Sequence, residues 1–227
     1  MFEHVELDLP KLSRETIDGV RYYSVPDEDK LLKLVSITSV TSHHNRDIFK
    51  KWRAKVGDAV ADRVTRQATS RGTDTHTLTE AYLYNQELPE VQPLSKMLFQ
   101  IYKSELNKIS RVHSLEGSLY SKELGIAGTV DCIAEYNGEL AIIDFKTSKK
   151  IKPEKWLENY FVQETAYACM YYEMTGIAVD KIVTLMVADN GDVKVYEKRN
   201  KGEYIKLLTK YIKEFVTHKL SEYGERG

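Results

Sequence analysis

The chain has 227 residues, 42% of them hydrophobic, and a net charge of -1 from 33 basic and 34 acidic side chains. That length fits one domain with a substantial core, and no apolar run approaches the roughly 18 residues of a membrane span, so no membrane partner is expected. Two cysteines, Cys132 and Cys169, are too few for a disulfide framework or a four-thiolate zinc or iron–sulfur site, and the near-neutral balance argues against tight nonspecific binding to duplexes.

The start, Met1-Phe2-Glu3-His4-Val5-Glu6, is acidic and lacks a signal or transit pattern, so a reducing cytoplasmic setting is expected. Residues 19–25 and 34–40 read as short strands around the turn-rich Pro26-Asp27-Glu28-Asp29. Helical patterns follow over 45–52 and 58–67, then over 70–84, where small polar residues suit a cap and Leu78, Ala81 and Tyr82 make an apolar stripe. A further helix over 93–110 places Leu94, Met97, Leu98, Ile101, Tyr102 and Leu106 at helical spacing. The period then changes to strand over 112–124, 126–136 and 139–148. Pro153 precedes a helix running to about Thr175; strands over 181–188 and 192–198 flank Asn190-Gly191; a last helix over 203–219 is expected to bury Ile205, Leu208, Ile212 and Phe215. This order predicts an α/β fold of the mixed α+β kind, a central mixed sheet with helices on both faces. Residues 1–227 are expected to form one domain: 1–44 an extension with strands, 45–110 a helical region, 111–220 the sheet-and-helix core.

Asn137-Gly138 is a strong signal for a two-residue hairpin turn. With those two residues as the turn, Tyr136 faces Glu139, and continuing outward Asp131 faces Asp144. Directly opposed side chains have Cβ atoms roughly 4.5–5.5 Å apart, and two carboxylates that close repel unless a proton or a cation sits between them. Lys146, two residues past Asp144, points to the same face. A carboxylate pair with an ammonium beside it is the chemistry of a metal-dependent phosphodiester cutter. The flanking apolar residues divide into Ile133, Leu140 and Ile142 on one face and Val130, Ala134, Ala141 and Ile143 on the other, implying a sheet buried on both sides. Cys132 then points away from Asp131 as a small buried residue. Each local basic group reads first as a solvated face: Arg46, Lys50, Lys51, Arg53 and Lys55; Arg63, Arg66 and Arg71; and Lys146, Lys149, Lys150, Lys152 and Lys155, the last group gaining weight because it leaves the strand that carries Asp144.

Four other residues accompany the pair. His76 lies in the helix opened by Gly72; Glu116 sits beside Gly117 in a strand among apolar neighbours; Gln163 and Tyr167 share one face of a helix at i and i+4. The series Gly72-x-x-x-His76, Glu116, Gly128-x-x-Asp131, Asp144-x-Lys146, Gln163-x-x-x-Tyr167 resembles the RecB-like branch of the PD-(D/E)xK nuclease superfamily in order and approximate spacing, over roughly residues 36–215. Within it the look is closest to the mitochondrial genome maintenance exonuclease group and its phage relatives, carried by Ser39-Val40-Thr41 leading to Lys51-Trp52, by residues 127–138, and by residues 143–148.

The resemblance implies a restriction-endonuclease-like core under an N-terminal helical roof. It implies Mg²⁺ or Mn²⁺, one ion or two, held by Asp131, Asp144, the backbone carbonyl of Phe145 and His76, with no iron–sulfur cluster. Lys146 would orient or deprotonate the attacking water, and Glu116 would touch a second ion or place a water. Gln163 and Tyr167, with Thr147, Lys149 and Arg71, would contact DNA; Trp52, Tyr82 and Tyr84 of the roof are candidates to stack bases. The implied activity is degradation of single-stranded DNA from free ends by a monomer, in replication, recombination or repair, in a bacterial or phage-infected cytoplasm. A flap endonuclease of the same fold and a catalytically silent DNA-binding module are the alternatives.

Overall fold

In the computed structural model, which describes residues 1–199 and 201–224 apart from the side chains of Tyr223 and Gly224, the chain runs β1 (Ser13–Ile17), β2 (Val20–Asp27), β3 (Lys30–Ser36), α1 (Ile37–His44), α2 (Arg46–Val56), α3 (Asp58–Leu83), α4 (Pro93–Leu106), β4 (Ile109–Ser121), β5 (Ile126–Tyr136), β6 (Glu139–Ser148), α5 (Glu158–Thr175), β7 (Lys181–Ala188), β8 (Val193–Lys198) and α6 (Gly202–Gly224), with a 3-10 turn at Glu154–Trp156. The strands form one mixed sheet in the order β1-β2-β3-β5-β6-β7-β8, with β4 paired to β5 beside that path. The β3–β5 and β6–β7 pairings are parallel; the others are antiparallel. Helices α1, α5 and α6 cover one face around Ile133, Ile142, Phe161 and Tyr171, while α3 and α4 cover the other around Ala134, Ala141, Ile143 and Phe145. The expected sheet with helices on both faces is what forms. No helix among the described residues is long and apolar enough to cross a membrane.

The hairpin between β5 and β6 forms where Asn137-Gly138 places it, with φ of 54° and 77° at those residues, the double positive φ of a type I′ turn. Its register runs from Tyr136↔Glu139 to Cys132↔Ile143 and stops there. Beyond that rung β5 continues along β4 and β3, while β6 continues along β7. The sheet therefore forks at Asp131 and Asp144. The two aspartates are not a paired rung of the ladder: Asp131 Oδ2 instead accepts the backbone N–H of Phe145 at 2.9 Å, a side-chain bond in place of a ladder bond. The alternation of β5 breaks at the same place, since Val130 joins the cluster of Ile133 rather than that of Ala134.

Other departures have local causes. Residues 37–40, expected as strand, open α1, because Ser36 caps that helix by accepting the N–H of Thr38. The helices expected over 58–67 and 70–84 are one 26-residue helix, α3. Gly72 does not break it; the helix packs beside β6 there, where a Cβ would meet Thr147 Oγ1 at 3.8 Å, an ordinary van der Waals contact. Leu94, Met97 and Ile205 face outward (41%, 47% and 42% exposed), so the buried stripe of α4 is Leu98, Phe99, Tyr102 and Leu106, and α6 buries Leu208, Tyr211 and Phe215.

Candidate active site

The fork opens a cleft into which α3, β4, β5, β6 and α5 each send side chains. His76 of α3 donates from Nε2 to the backbone oxygen of Phe145 at 2.7 Å. Its Nδ1 faces Asp131 Oδ2 at 3.7 Å and Glu116 Oε1 at 3.9 Å. Ligand atoms of His76, Glu116 and Asp131 all lie within 4.8 Å of one another. Glu116 reaches them through an unusual backbone: its φ is 48°, in the middle of a strand. On either side Leu115↔Cys132 and Gly117↔Val130 are in register, but Glu116 and Asp131 are not paired. A left-handed non-glycine residue costs roughly 1–3 kcal/mol and persists where the surroundings impose it; here it turns a carboxylate into the cleft. Burial disfavours the imidazolium of His76, yet the charge of Asp131, the bond to Glu116 and the charge of Asp144 prevail, and its pKa rises to about 9.

Asp144 is 1% exposed, and neither of its carboxylate oxygens accepts a hydrogen bond. Lys146 Nζ touches Oδ2 as an ion-pair partner. Burial, reinforced by the charge of Asp131 and opposed by Lys146, pushes Asp144 up to about 6. Burial would lower Lys146, but Asp144 and Asp131 overcome it and raise the ammonium above its ordinary value. The buried Asp144 carboxylate, with Oδ1 unpartnered and Oδ2 held only by Lys146, stands beside the converging His76, Glu116 and Asp131 and the Phe145 carbonyl; this oxygen-rich donor set with one nitrogen fits a hard divalent cation.

On α5, Gln163 donates from Nε2 to Tyr167 Oη at 3.0 Å, and Tyr167 is buried. The Tyr167 ring lies against Gly128: a Cβ there would come within 2.8 Å of Tyr167 Cε1 and 3.1 Å of Ile37 Cγ2. Glycine at 128 is thus a close-approach requirement. Gly128→Ala is expected to displace the Tyr167 ring, to destabilise the fold by about 1–3 kcal/mol, and to slow cleavage; chemical denaturation and a rate assay on the same preparation check both.

The remaining sequence candidates divide. Thr147 lines the approach of α3 at Gly72, and Lys149 is exposed. Arg71, expected on DNA, is ion-paired to Asp189 at 2.9 Å and ties α3 to the turn between β7 and β8. Tyr82 packs edge-on against Phe2 and Phe99, and Tyr84 stacks on His4, so these two roof aromatics are engaged with the protein itself. Trp52 pairs with Phe49 on α2, where no residue is buried.

Two residues at the site escaped sequence reasoning. Glu164, fully buried, accepts from the hydroxyl of Thr184, the register partner of Asp144; its Oε2 has no hydrogen bond, and burial together with the charge of Asp144 holds its carboxyl well above the usual range. The only hint was an acid between Val162 and Ala166 on an apolar helix face. Tyr160 carries Lys146 Nζ 5.1 Å over its ring and Lys152 Nζ at 5.2 Å; nothing in the sequence separates it from the many other tyrosines.

The chain is similar in part to several known proteins. Mitochondrial genome maintenance exonuclease 1 of Mus musculus is 48% identical over 48 residues, 21% of this chain and 14% of that protein. The Homo sapiens protein of the same name is 42% identical over 60 residues, 26% of this chain and 15% of that one. The matched stretches thus span about one seventh of those relatives. Among solved structures, a Eubacterium rectale protein described as a candidate exonuclease superposes with a TM-score of 0.49 at 14% identity, covering 67% of this chain and 66% of that one. An alkaline exonuclease from Laribacter hongkongensis gives a TM-score of 0.36 at 14% identity, covering 67% and 81%. The family model of the PD-(D/E)XK nuclease superfamily matches residues 42–221, most of the chain and all of the cleft, and the protein belongs to that superfamily.

Proposed function

We propose that this nuclease is a Mg²⁺- or Mn²⁺-dependent exonuclease that hydrolyses single-stranded DNA from free ends. The observation that carries the reading is the convergence of His76, Glu116 and Asp131 beside the buried Asp144–Lys146 pair. Asp131, Asp144, His76 and the Phe145 carbonyl would hold the ion. Such an ion lowers the pKa of a bound water and offsets charge on the phosphate oxygens. Lys146, an ammonium in this setting, stabilises the negative charge that develops on the phosphorane; its raised pKa favours that electrostatic role over the role of a base. Glu116 orients the attacking water from the cleft wall. Tyr167, fixed by Gln163 and wedged on Gly128, shapes the floor beneath the strand.

A preference for single strands is supported by α2 and the start of α3, which stand clear of the core. They display Ile48, Phe49, Val60 and Val64 in water together with Lys50, Lys51, Arg63 and Arg66. Apolar and aromatic side chains amid cations suit unpaired bases on a charged backbone. The test uses end-labelled linear single strands and covalently closed circles of the same sequence. Linear DNA should be degraded with Mg²⁺ or Mn²⁺ and spared in EDTA, while circles persist. Rapid cutting of circles would replace end dependence with an endonuclease, and intact linear DNA under every metal condition would remove the enzymatic reading.

A further inference from the structure

The segment that leaves β6 after Lys146 is fixed along its length and yet presents a tryptophan to water. Asp189 N–H binds the carbonyl of Ser148 at 2.9 Å. The hydroxyl of Tyr196 donates to the carbonyl of Lys152, and Lys152 Nζ donates to Tyr160 Oη at 2.9 Å. Glu154 is ion-paired to Lys198 of β8, and Leu157 is fully buried. Between those last two anchors Trp156 is 68% exposed. A large aromatic left in water on a fixed turn forgoes the burial that such side chains usually find.

The surroundings are cationic. Lys149, Lys150 and Lys155 are exposed and make no ion pair among the described residues, and the nearby acid, Glu154, is already neutralised by Lys198. The segment also abuts the cleft, because the ring of Tyr160 lies between Lys146 and Lys152, within 5.1 Å of one ammonium and 5.2 Å of the other. Free positive charge, a presented indole and direct continuity with the reacting end fit a polyanion that carries exposed aromatic faces. In a duplex those faces are stacked inside and out of reach of a side-chain ring; in a single strand they are available.

We propose that residues 149–156 are a strand-holding platform: phosphates of single-stranded DNA cross Lys149, Lys150 and Lys155, and one unpaired base stacks on Trp156. The assignment rests on the nuclease reading for its substrate but not on turnover for its test. The chain has two tryptophans, Trp52 and Trp156, so Trp52→Phe isolates the emission of Trp156 and Trp156→Phe isolates that of Trp52. Each variant is titrated with an oligothymidylate of about 15 nucleotides, near the upper site size of single-strand binders, with Ca²⁺ replacing Mg²⁺. Anisotropy of a labelled oligomer reports binding, and tryptophan emission reports stacking.

Saturation should quench most of the emission of W52F and little of that of W156F, and a blunt duplex should quench neither. W156A should bind the oligomer about tenfold more weakly at an unchanged melting temperature, and W156Y should recover most of that affinity. Full binding with unquenched W52F emission, native affinity in W156A, equal quenching by the duplex, or no binding of the oligomer at all would each overturn the platform. Cleavage by the native enzyme without this quenching rejects the platform alone. Quenching in a protein that never cuts DNA rejects the nuclease reading and leaves the platform.

Discussion

Asp144→Asn is expected to lower cleavage at least about a thousandfold and to remove a fall in melting temperature between pH 4 and pH 7 that the native protein shows in EDTA. The two effects share one cause. Asp144 is buried, lacks hydrogen bonds, and has a pKa pushed up from 3.8 to about 6. A carboxyl whose folded pKa exceeds its unfolded value weakens the fold as it ionises: the loss begins as pH rises past 3.8 and is complete above about 6. From pH 4 to pH 7 the native fold therefore loses stability on the order of 1–3 kcal/mol at this residue, and about 2–4 °C per kcal/mol is expected for a chain of this size. The amide does not titrate and shows no such loss, while the buried Lys146 loses its ion-pair partner, so the variant gains no net stability at pH 8. The same substitution removes a charged oxygen donor that a divalent ion needs. Calorimetry in EDTA and a cleavage assay with Mg²⁺ read the two effects separately. A variant that cuts at the native rate, or one whose melting temperature in EDTA falls across this pH range as the native protein's does, contradicts this account of Asp144.

The candidate site was readable from the chain where its determinants are local. The hairpin was legible to the residue because its determinants are local: Asn137 and Gly138 accept positive φ, and the flanking residues alternate. His76, Glu116, Asp131, Asp144 and Lys146 are picked out by a resemblance of order and spacing, and the fold brings all five side chains to one place. What failed depends on distant partners. The fork at Asp131 arises because β5 follows β3 and β4 while β6 follows β7, and no hairpin rule contains those strands. Glu164 became a site residue only because α5 lies across β7 and sets it beside Thr184, in register with Asp144. The continuous α3 reads in the sequence as two patterns, 58–67 and 70–84, that leave Ala68 and Thr69 between them unassigned, yet the helix runs through both. Arg71 is ion-paired to Asp189 at 2.9 Å, a partner on the turn between β7 and β8 that no local pattern in the sequence contains.

Metal binding should be strongly pH-dependent, with the melting-temperature gap between Mg²⁺ and EDTA widening from pH 6.5 to 9. In the metal-free protein the pKa of His76 is raised from 6.5 to about 9, chiefly by Asp131 and Glu116 working against burial. A histidine raised in the fold stabilises it while protonated: that contribution is full below pH 6.5 and disappears as pH climbs through 9. It amounts to about 2 kcal/mol once solvent screening is allowed for, since the side chains of His76 and Glu116 are 30% and 39% exposed. On the proposed reading an ion takes over this role, because a cation among Asp131, Asp144 and Glu116 satisfies the charge that the imidazolium satisfies without it. His76 must lose a proton to act as a nitrogen ligand, so binding near pH 7 releases about one proton and apparent affinity rises up to about tenfold per pH unit until the folded pKa is passed. At a hundredfold excess over Kd the ion contributes about 2.7 kcal/mol to stability. Proton release in weak buffer and melting with Mg²⁺ across this window measure the linkage. His76→Gln should reduce the proton release and flatten the gap. A native protein whose Mg²⁺ gap is the same at pH 6.5 and pH 9 would show that His76 and the metal do not compete for one set of carboxylates.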